Sequence, residues 1–137
     1  DGTSLIWRTG DGSLVAELTQ RGRAGVLEFS PDGSCFAAPR EGGGIGVWET
    51  TTGRMLSELA VGWGKSTYAS FSADGDRVAV GNSSGLVQSW SPAAGEKGLD
   101  PGVLKGHSRL VYRGSFSADG TRVLTASYDG TVKVWNV

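Results

Sequence analysis

Apolar residues along this chain fall into short runs, rich in β-branched and aromatic side chains, broken repeatedly by Gly, Asp and Ser. The stretch 105–137 shows the pattern best. Its runs at 110–116, 122–127 and 131–135 are separated by Ala118-Asp119-Gly120 and by Asp129-Gly130. Asp-Gly between apolar runs favours a tight reversal, because glycine takes the positive φ that such turns need. The pattern predicts three antiparallel strands in a meander.

Upstream the pattern recurs. Trp7, Trp48, Trp90 and Trp135 are spaced 41, 42 and 45 residues apart. Phe-Ser-x-Asp-Gly stands at 29–33, 71–75 and 116–120, and each of Phe29, Phe71 and Phe116 lies 19 residues before its Trp with no gap. Gly12, Gly53 and Gly95 each follow a Trp by five residues, marking one more shared turn. A period of ~40–45 residues with four strands per unit predicts an all-β bladed repeat. With Gly106-His107 opening the last unit and Val134-Trp135-Asn136 closing it, the chain resembles the WD-repeat β-propeller family.

Phasing the runs against the last unit predicts thirteen strands: 4–7, 14–18, 25–29, 34–39, 44–48, 54–59, 66–71, 77–81, 86–90, 102–104, 110–116, 122–127 and 131–135. Residues 1–18 are then the last two strands of a preceding blade, and 19–59 and 60–104 are whole repeats. Residues 105–137 form a third repeat lacking its outer strand. The expected core of the repeat is Trp7, Phe29, Trp48, Phe71, Trp90 and Phe116, beside Trp135. Three blades turn through far less than the circle of a ring of typically 4–8 blades. The expected architecture is thus a propeller section, open or part of a larger ring, with blade faces and sheet edges left for the rest of a propeller or for self-association. The absence of an initiator Met before Asp1 fits a piece of something longer.

In the family, a His, a hydroxyl residue, an Asp and the Trp form a hydrogen-bonded set. The resemblance places it at His107, Thr125, Asp129 and Trp135. A buried indole N–H is only a donor; a hydroxyl can accept it and pass a bond to imidazole, whose other nitrogen meets a carboxylate. The other units depart from this, with Ala38 and Val80 at the hydroxyl position, Gly42 and Ser84 at the turn position, and no second His. Trp48 and Trp90 are expected to rely on packing.

Composition narrows the function classes. The formal net charge of −1 gives no whole-molecule argument for nucleic acid or membrane, and no apolar run approaches the roughly 20 residues that span a bilayer. Cys35 is the lone cysteine, which excludes an internal disulfide and is compatible with a reducing, cytoplasmic setting. Gly81-Asn82-Ser83-Ser84-Gly85 fits G-x-S-x-G, but the run that follows has strand register where a nucleophile elbow needs a helix. Gly64-Lys65-Ser66-Thr67 imitates the end of a phosphate-binding loop, yet Leu59 stands where the first glycine belongs and an inner strand follows. One His, one Cys and scattered carboxylates give no metal-ligand spacing. No catalytic residue and no cofactor are expected.

Binding remains. The loops entering inner strands and those joining second to third strands share one end of the sheets, the top. Six cations, Arg21, Arg23, Arg40, Lys65, Lys105 and Arg109, stand there against three anions, Asp1, Glu41 and Asp129. The opposite end carries Asp11, Asp32, Asp74, Asp76 and Asp119 among its acids, as Asp-Gly turns require in any case. Trp63 lies outside the repeat register, either filling the space of a missing His or serving as an aromatic anchor. The expected role is a protein-interaction scaffold that takes a protein or peptide partner, acidic in character, through Trp63, Arg109, Tyr128, Tyr112, Arg21, Arg23 and Lys65. The alternatives are a nucleic-acid-binding propeller using the same cations, which a steep salt dependence would reveal, and a regulatory module of a larger bacterial enzyme or signalling protein.

Overall fold

The computed structural model describes residues 3–19, 27–40, 44–59, 64–92 and 102–137. Thirteen strands lie there: β1 Thr3–Trp7, β2 Leu14–Thr19, β3 Glu28–Phe29, β4 Cys35–Pro39, β5 Ile45–Glu49, β6 Met55–Leu59, β7 Ser66–Phe71, β8 Val78–Asn82, β9 Val87–Trp90, β10 Gly102–Leu104, β11 Val111–Phe116, β12 Arg122–Ser127 and β13 Val132–Asn136. Twelve of them fall within one residue of the ends expected from the sequence. The exception is the strand expected at 25–29, described only as Glu28–Phe29.

Four antiparallel sheets result, ordered β1-β2, β3-β4-β5-β6, β10-β9-β8-β7 and β11-β12-β13. Strand period explains why they stack: along β12, Val123 and Thr125 are buried while Arg122 and Leu124 are exposed. Gly33, Gly75 and Gly120 turn the first hairpin of the second, third and fourth sheets at φ of 72°, 78° and 68°. That left-handed conformation is cheap only for glycine.

Each sheet offers its indole-bearing face to the sheet before it and its other face to the sheet after. Ile6, with Val15 and Ala16, meets Phe36, Ala38 and Trp48. Ala37, Ile45, Val47 and Leu59 meet Ala69, Phe71, Val78, Val80 and Trp90. Tyr68, Val87 and Val111 close the third joint, where the Tyr68 ring covers Gly81 and Gly114 so closely that neither has room for a side chain. Polar ties cross the joints as well. Glu28 Oε1 accepts the Phe71 N–H at 3.2 Å, and the Thr67 hydroxyl donates to the Val111 carbonyl. No barrel closes among the described residues, and the all-β stack of antiparallel sheets is consistent with an open propeller section.

Two residues expected in the repeat core stand in solvent. Trp7 is 55 % exposed and Phe29 57 % exposed, whereas Trp48, Phe71 and Trp90 are buried and Phe116 is half-buried. The cause is the short first sheet. Among the described residues no sheet covers the indole face of β1, and two strands reach Phe36 and Trp48 but leave the inner strand carrying Phe29 uncovered.

Candidate functional site

One polar device recurs in all three Phe-Ser-x-Asp-Gly turns. The hydroxyls of Ser30, Ser72 and Ser117 donate to Oδ1 of Asp32, Asp74 and Asp119 at 2.6, 2.5 and 2.5 Å. The same carboxylate oxygens accept the backbone N–H of Ser34, Asp76 and Thr121, each at 3.0 Å. Each serine oxygen in turn accepts the N–H of Cys35, Arg77 or Arg122 at 3.0 Å. The serine hydroxyl is the leading cause of a lowered carboxylate pKa in all three turns, down to about 2 for Asp32 and Asp119. The acidity of this end of the sheets is therefore turn chemistry.

A pH dependence follows. Asp32 and Asp119 sit below their ordinary 3.8 when folded, so their contribution to stability is complete above about pH 4 and is lost as pH falls toward about 2. The urea midpoint, followed by tryptophan fluorescence, should drop between about pH 5 and about pH 2.5, and drop less in an Asp32→Asn/Asp119→Asn double variant. An equal drop in both proteins would show that these turns are not the acid-sensitive element.

At the other end, the fourth sheet carries the polar set. Asp129 Oδ2 lies 2.9 Å from His107 Nδ1, and His107 Nε2 lies 2.8 Å from Thr125 Oγ1. Trp135 Nε1 donates to Thr125 Oγ1 at 2.7 Å. The bonds close if Nδ1 carries the imidazole proton and the Thr125 hydroxyl donates to Nε2 while accepting the indole. Asp129 also accepts the Ser108 N–H at 3.0 Å and the Thr131 hydroxyl at 2.6 Å. With Thr131 as the leading cause, its carboxyl is held far below the usual range. His107 and Thr125 are buried, and the imidazole meets the Trp135 ring edge-on at 5.9 Å. The arrangement spends its donors and acceptors on itself.

Trp48 and Trp90 lack that partner. Trp90 Nε1 is buried with no hydrogen bond, as Val80 at the hydroxyl position dictates. Trp48 instead stacks on Phe36, with centroids 5.6 Å apart and planes 7° apart, over Gly46.

Around the polar set the loops build a surface. The Ser127 hydroxyl donates to the Arg109 carbonyl at 2.9 Å, and the Tyr128 N–H donates to the Leu110 carbonyl at 2.9 Å. The Arg109 guanidinium reaches the Tyr128 carbonyl at 3.3 Å. The rings of Tyr112 and Tyr128 lie 5.1 Å apart, and both are exposed. In the third sheet, the Lys65 N–H donates to the Ser83 hydroxyl at 3.0 Å. Gly85 presses on the His107 carbonyl, joining the two loop groups. Among the described residues, neither Lys65 nor Arg109 forms an ion pair, whereas Arg40 is paired with Glu58. The structure thus brings together Arg109, Tyr112 and Tyr128, while Lys65 stands in the neighbouring loop group of the third sheet. Trp63, Arg21 and Arg23 lie outside the described residues.

The two motif look-alikes resolve into turns and strands. Asn82 Oδ1 accepts the N–H groups of Ser84 and Leu86 at 2.9 and 3.0 Å, so 82–85 is a hairpin turn between β8 and β9. Lys65 leads straight into β7. What sequence reasoning passed over was the serine in each Phe-Ser-x-Asp-Gly run; its place two residues before an Asp was the available signal.

Residues 100–136 match the family described as WD domain, G-beta repeat. No curated protein matches the chain. Together with the antiparallel sheets, the match fits a section of a WD-repeat propeller. WD40 repeats generally mediate protein–protein interactions and their proteins are typically non-catalytic scaffolds, so the match supports a protein-interaction or scaffold domain.

Proposed function

With a WD-repeat propeller section as the premise, we propose that this chain recognises a protein or peptide through the top loops of its third and fourth sheets, with Tyr112, Tyr128, Arg109 and Lys65 as the contact surface. The observation that supports this most directly is the Tyr112–Tyr128 pair, two rings packed on one another in solvent beside a cation. Tyr and Arg carry interface energy because they bring large area and several donors with little ordering cost. Lys65 and Arg109, lacking acidic partners among the described residues, favour an acidic segment and speed its approach. Asp32, Asp74 and Asp119, at the far end, are occupied by their own turns.

Binding kinetics to a partner recovered from the source cell test this. Tyr128→Ala and Arg109→Ala should each cost about 2 kcal/mol or more, roughly a thirtyfold loss of affinity. Lys65→Glu should act mainly on the association rate. Asp74→Asn and Asp76→Asn are the controls. If these two abolish binding while Tyr128→Ala and Arg109→Ala keep it, the opposite end is the functional one.

A further inference from the structure

The hairpins that leave the inner strands of the second, third and fourth sheets each turn on an Asp-Gly step, Asp32-Gly33, Asp74-Gly75 and Asp119-Gly120. Asp-Gly is also the step at which a chain rearranges most readily, because glycine has no side chain to keep its nitrogen from the carboxyl before it. In that reaction the glycine nitrogen attacks Cγ of the protonated carboxyl. A C–N bond forms, the carboxyl C–O bond breaks, and the hydroxyl leaves with the amide hydrogen as water. Water then opens the cyclic imide. Opening at Cγ restores aspartate, whereas opening at the backbone carbonyl leaves the chain running through Cγ, as isoaspartate with a free α-carboxylate. One water leaves and one returns, so the mass is unchanged.

In all three turns a single serine holds both reacting groups. The hydroxyls of Ser30, Ser72 and Ser117 donate to Oδ1 of Asp32, Asp74 and Asp119. Their carbonyls accept the N–H of Gly33, Gly75 and Gly120, each at 2.9 Å. The first bond favours the ionised carboxylate over the acid that reacts. The second must break before the glycine nitrogen can attack. We propose that Asp32, Asp74 and Asp119 are latent isoaspartate sites, and that Ser30, Ser72 and Ser117 keep them as aspartates by holding carboxylate and glycine nitrogen apart. The three are not held equally. Ser34 and Thr121 add a second hydroxyl to Oδ1 of Asp32 and Asp119, each at 2.8 Å. Asp76 stands at that position after Asp74 and has no hydroxyl to give. Asp74 is therefore the least protected. Its isoaspartate would put one extra backbone atom in the turn just after Phe71, a residue of the joint between the second and third sheets.

Prolonged incubation of residues 1–137 at neutral pH tests this, followed by peptide mapping with electron-transfer fragmentation, which tells isoaspartate from aspartate at equal mass. In the unaltered chain isoaspartate should gather at Asp74 before Asp32 and Asp119. Ser72→Ala removes the hydroxyl and keeps the carbonyl; it should raise isoaspartate at Asp74 several-fold and leave Asp32 and Asp119 unchanged. Ser72 is fully buried, so far-ultraviolet circular dichroism checks folding. Ser117→Ala, at a half-buried serine and read at Asp119, replaces it if the first variant does not fold. Ser117→Thr, which keeps a hydroxyl, should stay at the unaltered rate. A folded alanine variant with no rise at its own aspartate overturns the inference. So does one in which all three aspartates rise together, since lost stability rather than a lost hydroxyl would then be the cause.

Discussion

Thr125→Val should lower the stability of the fourth sheet by about 2–6 kcal/mol, because it strands the buried His107 imidazole and the half-buried Trp135 indole at roughly 1–3 kcal/mol each. Valine matches threonine in shape, so no cavity confuses the measurement. What disappears is one oxygen, which now accepts the Trp135 indole at 2.7 Å and meets His107 Nε2 at 2.8 Å. His107→Ala attacks the set from its other side, at a cost on the order of 1–3 kcal/mol, by leaving the Thr125 hydroxyl without an acceptor. The urea midpoint of each variant, with the slope checked for constancy, gives the number. A loss below about 0.5 kcal/mol for Thr125→Val, the range of neutral surface changes, would mean that indole and imidazole have other outlets.

The third sheet shows how the protein fares without the set. Val80 stands where Thr125 would be, Trp90 Nε1 has no partner, and the sheet nevertheless buries Val78, Val80, Val87 and Trp90. Packing from both sides substitutes for the hydrogen bonds there. Among the described residues, the fourth sheet carries the polar network.

Much of this was legible in the sequence because it is local. Strand positions follow from turn residues and apolar runs a few residues apart, and the Phe-to-Trp spacing set the register of three repeats. The polar set was legible through the family resemblance of one unit. Burial was not, because it depends on neighbours a whole repeat away. Trp7 and Trp48 are equivalent in sequence, yet one faces solvent and the other stacks on Phe36. Glu28 gave no sign that its carboxylate would cap the Phe71 N–H, 43 residues on. Nor did Tyr68 announce that it fills the space above Gly81 and Gly114. Joints between sheets are long-range facts, and single-chain periodicity carries only their faces.

Those joints can be weighed by one pair of glycines. Gly85 and Gly130 occupy the same turn in successive repeats, at φ of 87° and 82°. An alanine at either position bears the left-handed cost of roughly 1–2 kcal/mol. They differ in what lies ahead. A Cβ on Gly85 would overlap the His107 carbonyl oxygen and sit 3.0 Å from the Arg109 carbonyl oxygen, both backbone atoms of the next sheet. A Cβ on Gly130 would meet nothing within 4 Å. Gly85→Ala should therefore cost about 3–5 kcal/mol, because neither backbone can yield without opening the joint and loosening the His107 loop, while Gly130→Ala should cost about 1–2. Denaturant midpoints at a concentration low enough to keep the chain monomeric supply the comparison. Equal losses at the two positions would mean that the third and fourth sheets do not press together at Gly85, and the surface that joins Lys65 to Arg109 would lose its support.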